Sequence, residues 1–248
     1  MNRSVTGHAT RTVVATANVQ GSLSRTDAQR AVALVLEHRP DLVALQEWHP
    51  WRAGLLRRFT DYRWYEPLLG GCAVGARRER FERTSRRTRV LSPPGRADRA
   101  GRLLGLEPAR LASVTLHRDL LSGGTVALVD YHLASQVQGG GRYREEDRPR
   151  LVARHRRESS EVVRLVAETL ADGHATYACG DSNFHGFRIP GLVSAWEGRA
   201  HAGGTLGTSR QVDDVHAVAA PLEVLTVRTP SDHAAVVATY ERPVTRAD

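Results

Sequence analysis

At 248 residues the chain fits one large domain or two small ones, and its 41% hydrophobic and 25% charged residues are those of an ordinary globular protein with a substantial core. Its longest apolar runs, such as AVALVL, fall far short of the ~20 residues that span a bilayer, and MNRSVTGHATRT carries no apolar segment after its basic residue, so no secretory signal and a cytoplasmic location are expected. The formal charge of +8 favours anionic partners such as nucleic acid, phosphorylated metabolites or acidic membranes, although all 35 basic residues are arginine, a uniformity that codon usage explains as well as selection does.

In chain order, TRTVVATANVQ reads as a β-branched strand. SRTDAQRAVALVLEHRP reads as a helix opened by Ser24 or Thr26 and stopped by Pro40. DLVALQE is a short buried strand, WRAGLLRRF a helix, and GGCAVGAR a strand after a glycine turn. Residues 77–102 read as a strand flanked by an exposed basic loop, with ten arginines against Glu79, Glu82 and Asp98. LASVTLHR and TVALVDYHLAS are strands joined around Gly123 and Gly124, and a long helix spans about 148–171. ATYACGD, RQVDDVHAVA, LEVLTVR and AAVVATYER complete an α/β pattern without repeat or linker, expected as a single domain. Cys72 and Cys179 match no zinc spacing and read as small buried residues.

The chemistry sits at strand ends. Asn18 ends the first strand, Glu47 closes LVALQE, His132 lies in YHL, Asp181 and Asn183 follow an apolar strand in GDSN, Asp213 lies in QVDD, and Asp232 and His233 begin the last strand in SDH. Polar groups beside apolar strands are costly to desolvate unless they bind metal, pair or do chemistry. Each alone has a plain alternative: a turn former for Asn18, Asp181 or Asn183, a solvated terminus for Glu47, a solvated pair for Asp213 and Asp214, a satisfied core histidine for His132, and for Asp232 a turn cap after Pro230 that His233 merely follows. Their joint occurrence in this order resembles the endonuclease/exonuclease/phosphatase superfamily over about residues 12–241.

The resemblance implies a four-layer sandwich of two packed mixed β-sheets flanked by helices. It implies a Mg²⁺- or Mn²⁺-dependent phosphodiesterase, with Glu47 the principal metal ligand and Asn18 and Asp232 on the metal side. His132 and Asn183 hold phosphate oxygens, Asp181 activates or orients water, and Asp213 orients His233; which of Asp181 and His233 takes the proton stays open. Nucleic acid is the leading substrate class, with Trp48, Trp51, Trp64 and Tyr65 either stacking on bases or filling the core. Phospholipid or small phosphorylated substrates, and a catalytically silent binding module, are the alternatives. Three positions depart from the family pattern: Ser182 inside GDSN, Asp130 two places before His132, and Asp214 after Asp213.

Overall fold

A computed structural model describes residues 10–96, 98, 105–199 and 203–242. In chain order these form β1 (Arg11–Asn18), α1 (Arg25–Leu36), β2 (Leu42–Gln46), β3 (Tyr62–Tyr65), β4 (Ala73–Arg77), β5 (Phe81–Ser92), and a short pair, β6 (Gly95–Arg96) and β7 (Leu106–Glu107). Next come β8 (Arg110–Asp119), β9 (Thr125–His132), a second short pair, β10 (Gln138–Gly139) and β11 (Arg142–Tyr143), and α2 (Pro149–Ala171). The chain ends with β12 (Ala175–Asp181), β13 (Val193–Ser194), β14 (Asp213–Ala217), β15 (Glu223–Val227) and β16 (Ala235–Glu241).

Two six-stranded mixed sheets carry the fold, ordered β15-β16-β1-β2-β4-β3 and β13-β14-β12-β9-β8-β5. Their inner faces meet through Val14, Leu42, Leu128, Cys179, Val215 and Val236. The outer face of the first sheet, with Ala15, Val43 and Val237, buries Ala28, Ala31, Val32 and Val35 of α1. The outer face of the second, with Val114, Val129 and Ala178, buries Val162, Leu165 and Val166 of α2. The result is the four-layer α/β sandwich expected. Ser24, whose hydroxyl accepts from the Asp27 N–H, caps α1.

The strand period of two explains where the polar residues go. On β1, Val14, Thr16 and Asn18 share the inner face; on β2, Leu42, Ala44 and Gln46 do; on β9, Val126, Leu128, Asp130 and His132; on β12, Tyr177, Cys179 and Asp181. On these four strands the inner face ends polar at its C-terminal end. β1 lies parallel to β2, with Asn18 opposite Gln46, and β9 parallel to β12, with His132 opposite Asp181. β14 runs antiparallel to β12 and sets its first residue, Asp213, opposite Asp181. One edge of the sandwich thus collects the polar tips of five strands.

Two local expectations need correction. The helix expected at 51–59 is a pair of 3₁₀ turns, Pro50–Arg52 and Leu55–Arg58, because Gly54 between them adopts φ +80° and interrupts the helical ladder. β3, which the sequence reading passed over, carries the aromatic alternation of a strand in Tyr62, Trp64 and Tyr65. In the basic segment 77–102 the strand runs twelve residues, and residues 97 and 99–102 lie outside the described ones, as do residues 1–9. Cys72 and Cys179 are buried free thiols.

Candidate active site

Gly180 fixes how closely two of the tips approach. A Cβ built there would lie 2.0 Å from the Tyr131 carbonyl oxygen, so only glycine lets β12 press against β9 one residue before Asp181. Gly180→Ala is expected to destabilise the fold by roughly 2 kcal/mol or more and to lower activity together with it. Thermal melting beside an activity assay checks this; an alanine variant melting with the parent would show that the strands have slack.

From the first sheet, Asn18 is buried, and its Nδ2 lies 3.4 Å from Glu47 Oε1 and donates to Asp181 Oδ2 at 2.9 Å. That amide joins the two sheets. Glu47 takes φ +57°, a left-handed conformation that costs a non-glycine residue about 1–3 kcal/mol and that clusters at functional sites. Its Oε2 accepts from the Gly21 N–H at 2.5 Å. Arg52 holds the conformation from behind: its guanidinium binds the carbonyls of Val19, Gln20 (2.6 Å), Leu23 (3.3 Å) and Glu47 (3.3 Å) and stacks over Trp48, tying the loop after β1 to the loop after β2.

From the second sheet, Asp181 Oδ2 lies 3.6 Å from His132 Nε2 and 3.9 Å from His233 Nδ1. Asp181 Oδ1 accepts from the Asn183 N–H at 2.7 Å, and Asn183, at φ +53°, donates its Nδ2 to the Leu133 carbonyl at 3.1 Å. His233 Nδ1 lies 2.7 Å from Asp213 Oδ2, an ion pair buried on both sides. The Asp213 N–H, like that of Val212, is held by the Thr205 hydroxyl. An unbroken polar chain therefore runs Glu47–Asn18–Asp181–His233–Asp213.

The charges follow from this crowding. Burial first, and the Asp213 carboxylate second, push the Asp181 carboxyl up to about 7 against the pull of His233 and the Asn18 amide. Burial alone would lower the His233 imidazole, but the hydrogen bond and charge of Asp213, with Asp181 and Asp232 behind it, outweigh burial and raise it to about 9. At neutral pH His233 is a cation fixed by Asp213, its Nε2 turned away from that bond.

Asp232 is exposed. Its Oδ1 lies 3.3 Å from the Ser231 hydroxyl, which in turn lies 2.7 Å from the Asn18 carbonyl oxygen. It sits at the rim rather than among the buried groups. Two oxygens point to a cation: Asn18 Oδ1 and Asp213 Oδ1 are buried without a hydrogen-bond donor among the described residues. Near Glu47, the Asn18 oxygen fits the carboxylate, amide and water shell of a hard divalent ion. Asp181, Asp213 and His233 also present ligand atoms within 4.8 Å of one another, an acidic-histidine group of the kind that takes a divalent ion. His233 Nδ1 is already committed to Asp213 there.

Sequence reasoning missed several contributors. Arg110 opens β8 and sets its Nη1 3.3 Å from His132 Nδ1, a fixed positive charge beside that ring. Its only signal was an arginine at a strand start. Asp130 lies deeper than His132 on the same face, fully buried; it accepts from Gln46 Nε2 at 2.7 Å, and burial holds its carboxyl well up. The departure at Asp130 is thus a brace between the sheets. Asp214 faces away from the site, bound by the Ser194 hydroxyl at 2.5 Å and the Ala195 N–H at 3.0 Å. The aromatic residues divide: Trp48 is buried, Trp64 and Tyr65 half-buried, and Trp51 is 59% exposed and stacked on His49.

The sequence matches a model of the Endonuclease/Exonuclease/phosphatase family over residues 15–233. No curated protein matches it. Among solved structures, D. rerio TDP2 complexed with a single-strand DNA product is similar at TM-score 0.65 and 18% identity, covering 92% of this chain and 98% of that one. The human Nocturnin catalytic domain with bound sulfate is similar at TM-score 0.65 and 16% identity, covering 93% of each chain. An endonuclease/exonuclease/phosphatase family protein from Bacteroides thetaiotaomicron is similar at TM-score 0.67 and 16% identity, covering 93% of this chain and 97% of that one. At these identities the likeness is one of fold. Among the described residues no helix is long and apolar enough to cross a membrane.

Proposed function

The chain belongs to the endonuclease/exonuclease/phosphatase family, and from that premise we propose that it is a divalent-cation-dependent phosphodiesterase acting on nucleic acid. The observation that carries the reading is the polar chain from Glu47 through Asn18 and Asp181 to His233, which joins a cation-binding corner to a charged imidazole within one strand-tip cluster. Glu47 and Asn18 would hold Mg²⁺ or Mn²⁺, with Asp232 adding negative charge from the rim. Bound there, such an ion supplies a Lewis acid that polarises a phosphoryl oxygen and offsets the charge developing on it.

The chain's own residues do the rest. Asp181, pushed up to about 7, is matched as a general base to neutral pH: it takes the proton of the attacking water as that oxygen bonds to phosphorus and the ester oxygen leaves. His233, already protonated, donates from Nε2 to a phosphoryl oxygen, and Asp213 keeps it charged and oriented. Asn183 gives one amide N–H to Leu133 and keeps the other for the phosphate; His132 and Arg110 face the same group. The overall +8 charge and the DNA product bound by the D. rerio TDP2 structure support a nucleic-acid substrate.

The test is a panel of labelled single-stranded and duplex DNA, phospholipid vesicles and bis-nitrophenyl phosphate, each with Mg²⁺ or with EDTA. DNA cleavage is expected, abolished by EDTA and lowered about 10³-fold by Glu47→Ala, the kinetic equivalent of the several kcal/mol a Lewis-acid ion contributes. Turnover of phospholipid or the small ester with DNA intact would move the substrate class. Parental activity in Glu47→Ala would falsify the enzymatic assignment in favour of a silent binding module.

A further inference from the structure

One flank of the sandwich is open where both sheets end, β3 closing the first and β5 the second. On β8, Ala112 and Val114 face α2, so Ser113, Thr115 and His117 face the other sheet. Their partners on β5, Thr88, Arg86 and Arg83, turn the same way, into the gap. Across it stands Tyr65 of β3: its hydroxyl lies 2.7 Å from Thr88 Oγ1, and the guanidinium groups of Arg86 and Arg83 lie 5.4 and 6.0 Å from its ring centroid. Arg83 also donates to the Trp64 carbonyl at 3.0 Å. Arg63 on β3 and Arg78 beyond β4 complete the cluster, and their charges, with that of Arg86, bear on Arg83.

Among the described residues these four arginines form no ion pair. Among the described residues none of Arg63, Arg78, Arg83 and Arg86 has a carboxylate within 4.0 Å. Of the acids nearby, Glu79 pairs with Arg39 and Arg77, Glu82 with Arg118, and Glu66 with the Trp48 indole N–H, while Asp61, whose backbone carbonyl accepts from the Arg78 N–H, makes no ion pair with the four. A like-charged cluster held together by the fold is relieved only by an anion that spans it. Along the seam-facing side of β5 only Val90, two places past Thr88, is an exposed large apolar side chain, where a membrane-binding face presents a row of such anchors. Guanidinium forks match phosphodiester oxygens.

We propose that this seam binds the phosphate backbone of a nucleic-acid strand at a distance from the catalytic edge. The proposal rests on the nucleic-acid reading above. By β-strand rise, Thr115 and His117, the β8 partners of Arg86 and Arg83, lie about 17 and 23 Å along β8 from Arg110. Arg83 and Arg86 thus lie several nucleotides beyond the reactive phosphate, so only longer strands reach them.

The experiment measures binding of a labelled 30-nucleotide single strand by anisotropy in EDTA, so that turnover does not intervene, with parent and Arg63→Gln/Arg86→Gln protein. Arg83 is spared because it holds Trp64. The double variant is expected to bind on the order of tenfold more weakly at 0.1 M salt, with the slope of log K against log salt shallower by about 1.4, two charges at ~0.7 each. Arg63→Lys/Arg86→Lys is expected to restore the slope, and bis-nitrophenyl phosphate hydrolysis to stay unchanged. Unchanged affinity and slope in the Gln variant would overturn the seam, as would loss of binding to phosphatidylserine vesicles with DNA binding intact. The two readings fail separately. A parent that cleaves no ester but binds DNA through these arginines removes the enzyme and keeps the seam; a parent that cleaves DNA while the Gln variant binds it equally removes the seam alone.

Discussion

His233→Ala is expected to lower kcat/KM by about 10³-fold, close to 4 kcal/mol of transition-state stabilisation. The reason is placement. The imidazole is buried and fixed by Asp213 at 2.7 Å, so in the proposed reaction it would meet the developing phosphoryl charge with no cost of reorganisation at that moment. In that proposal Asp213 acts only through this ring. Asp213→Asn should therefore cost about 10²-fold or more alone and nothing further in a His233→Ala background. Stability should respond differently from activity: the substitution removes an ion partner from His233 but also the second carboxylate that presses on Asp181. Melting temperature should change little while activity falls. Full additivity of the two losses would mean that Asp213 serves the reaction by another route.

Much of this site was legible because strand ends are written plainly in sequence. LVALQE and YACGD each place a polar residue where an apolar run stops, the parallel pairing of β1 with β2 and β9 with β12 brings those stops to one edge, and antiparallel β14 starts there with Asp213. What escaped depends on long-range contacts. Arg110 gains its meaning only from His132 on the neighbouring strand, and Arg52 only from carbonyls in two separate loops. Asp130 reads only as a departure from the family pattern, because the sequence cannot show that Gln46 of the opposite sheet reaches it. The helix at 51–59 failed because its apolar spacing hid a glycine that the backbone uses in the left-handed region. In α2 the signal was present but unread. The buried stripe Leu151, Arg154, His155, Glu158, Val162, Leu165 and Val166 keeps helical spacing straight through three polar residues, a mark of partners waiting in the core.

Those partners define the largest stability effect. Glu158 is wholly buried; its Oε1 accepts from Arg154 Nε at 2.8 Å and Ser92 Oγ at 2.6 Å, and its Oε2 from the Ala134 N–H at 2.7 Å. Arg154 reaches on to the Pro108 carbonyl at 2.5 Å. One ion pair on α2 thereby anchors the end of β5, the approach to Arg110, and the turn after His132, while His155 one residue along donates to the Ser182 carbonyl inside GDSN at 2.7 Å. Glu158→Ala strands the Arg154 charge and leaves the Ala134 N–H without its acceptor. The expected loss is about 3–5 kcal/mol, roughly 10 °C in melting temperature for a chain of this length. Arg154→Met/Glu158→Leu should recover part of it, because no buried charge remains, but not all, because the Ala134 N–H stays unpaired. In both variants kcat should fall more than KM rises, since the groups displaced are Leu133, which holds Asn183, and His132 beside it. Urea unfolding followed by steady-state kinetics separates the outcomes. A Glu158→Ala protein as stable as its parent would mean that water enters and satisfies the Arg154 guanidinium, and that the helix does not brace the catalytic edge.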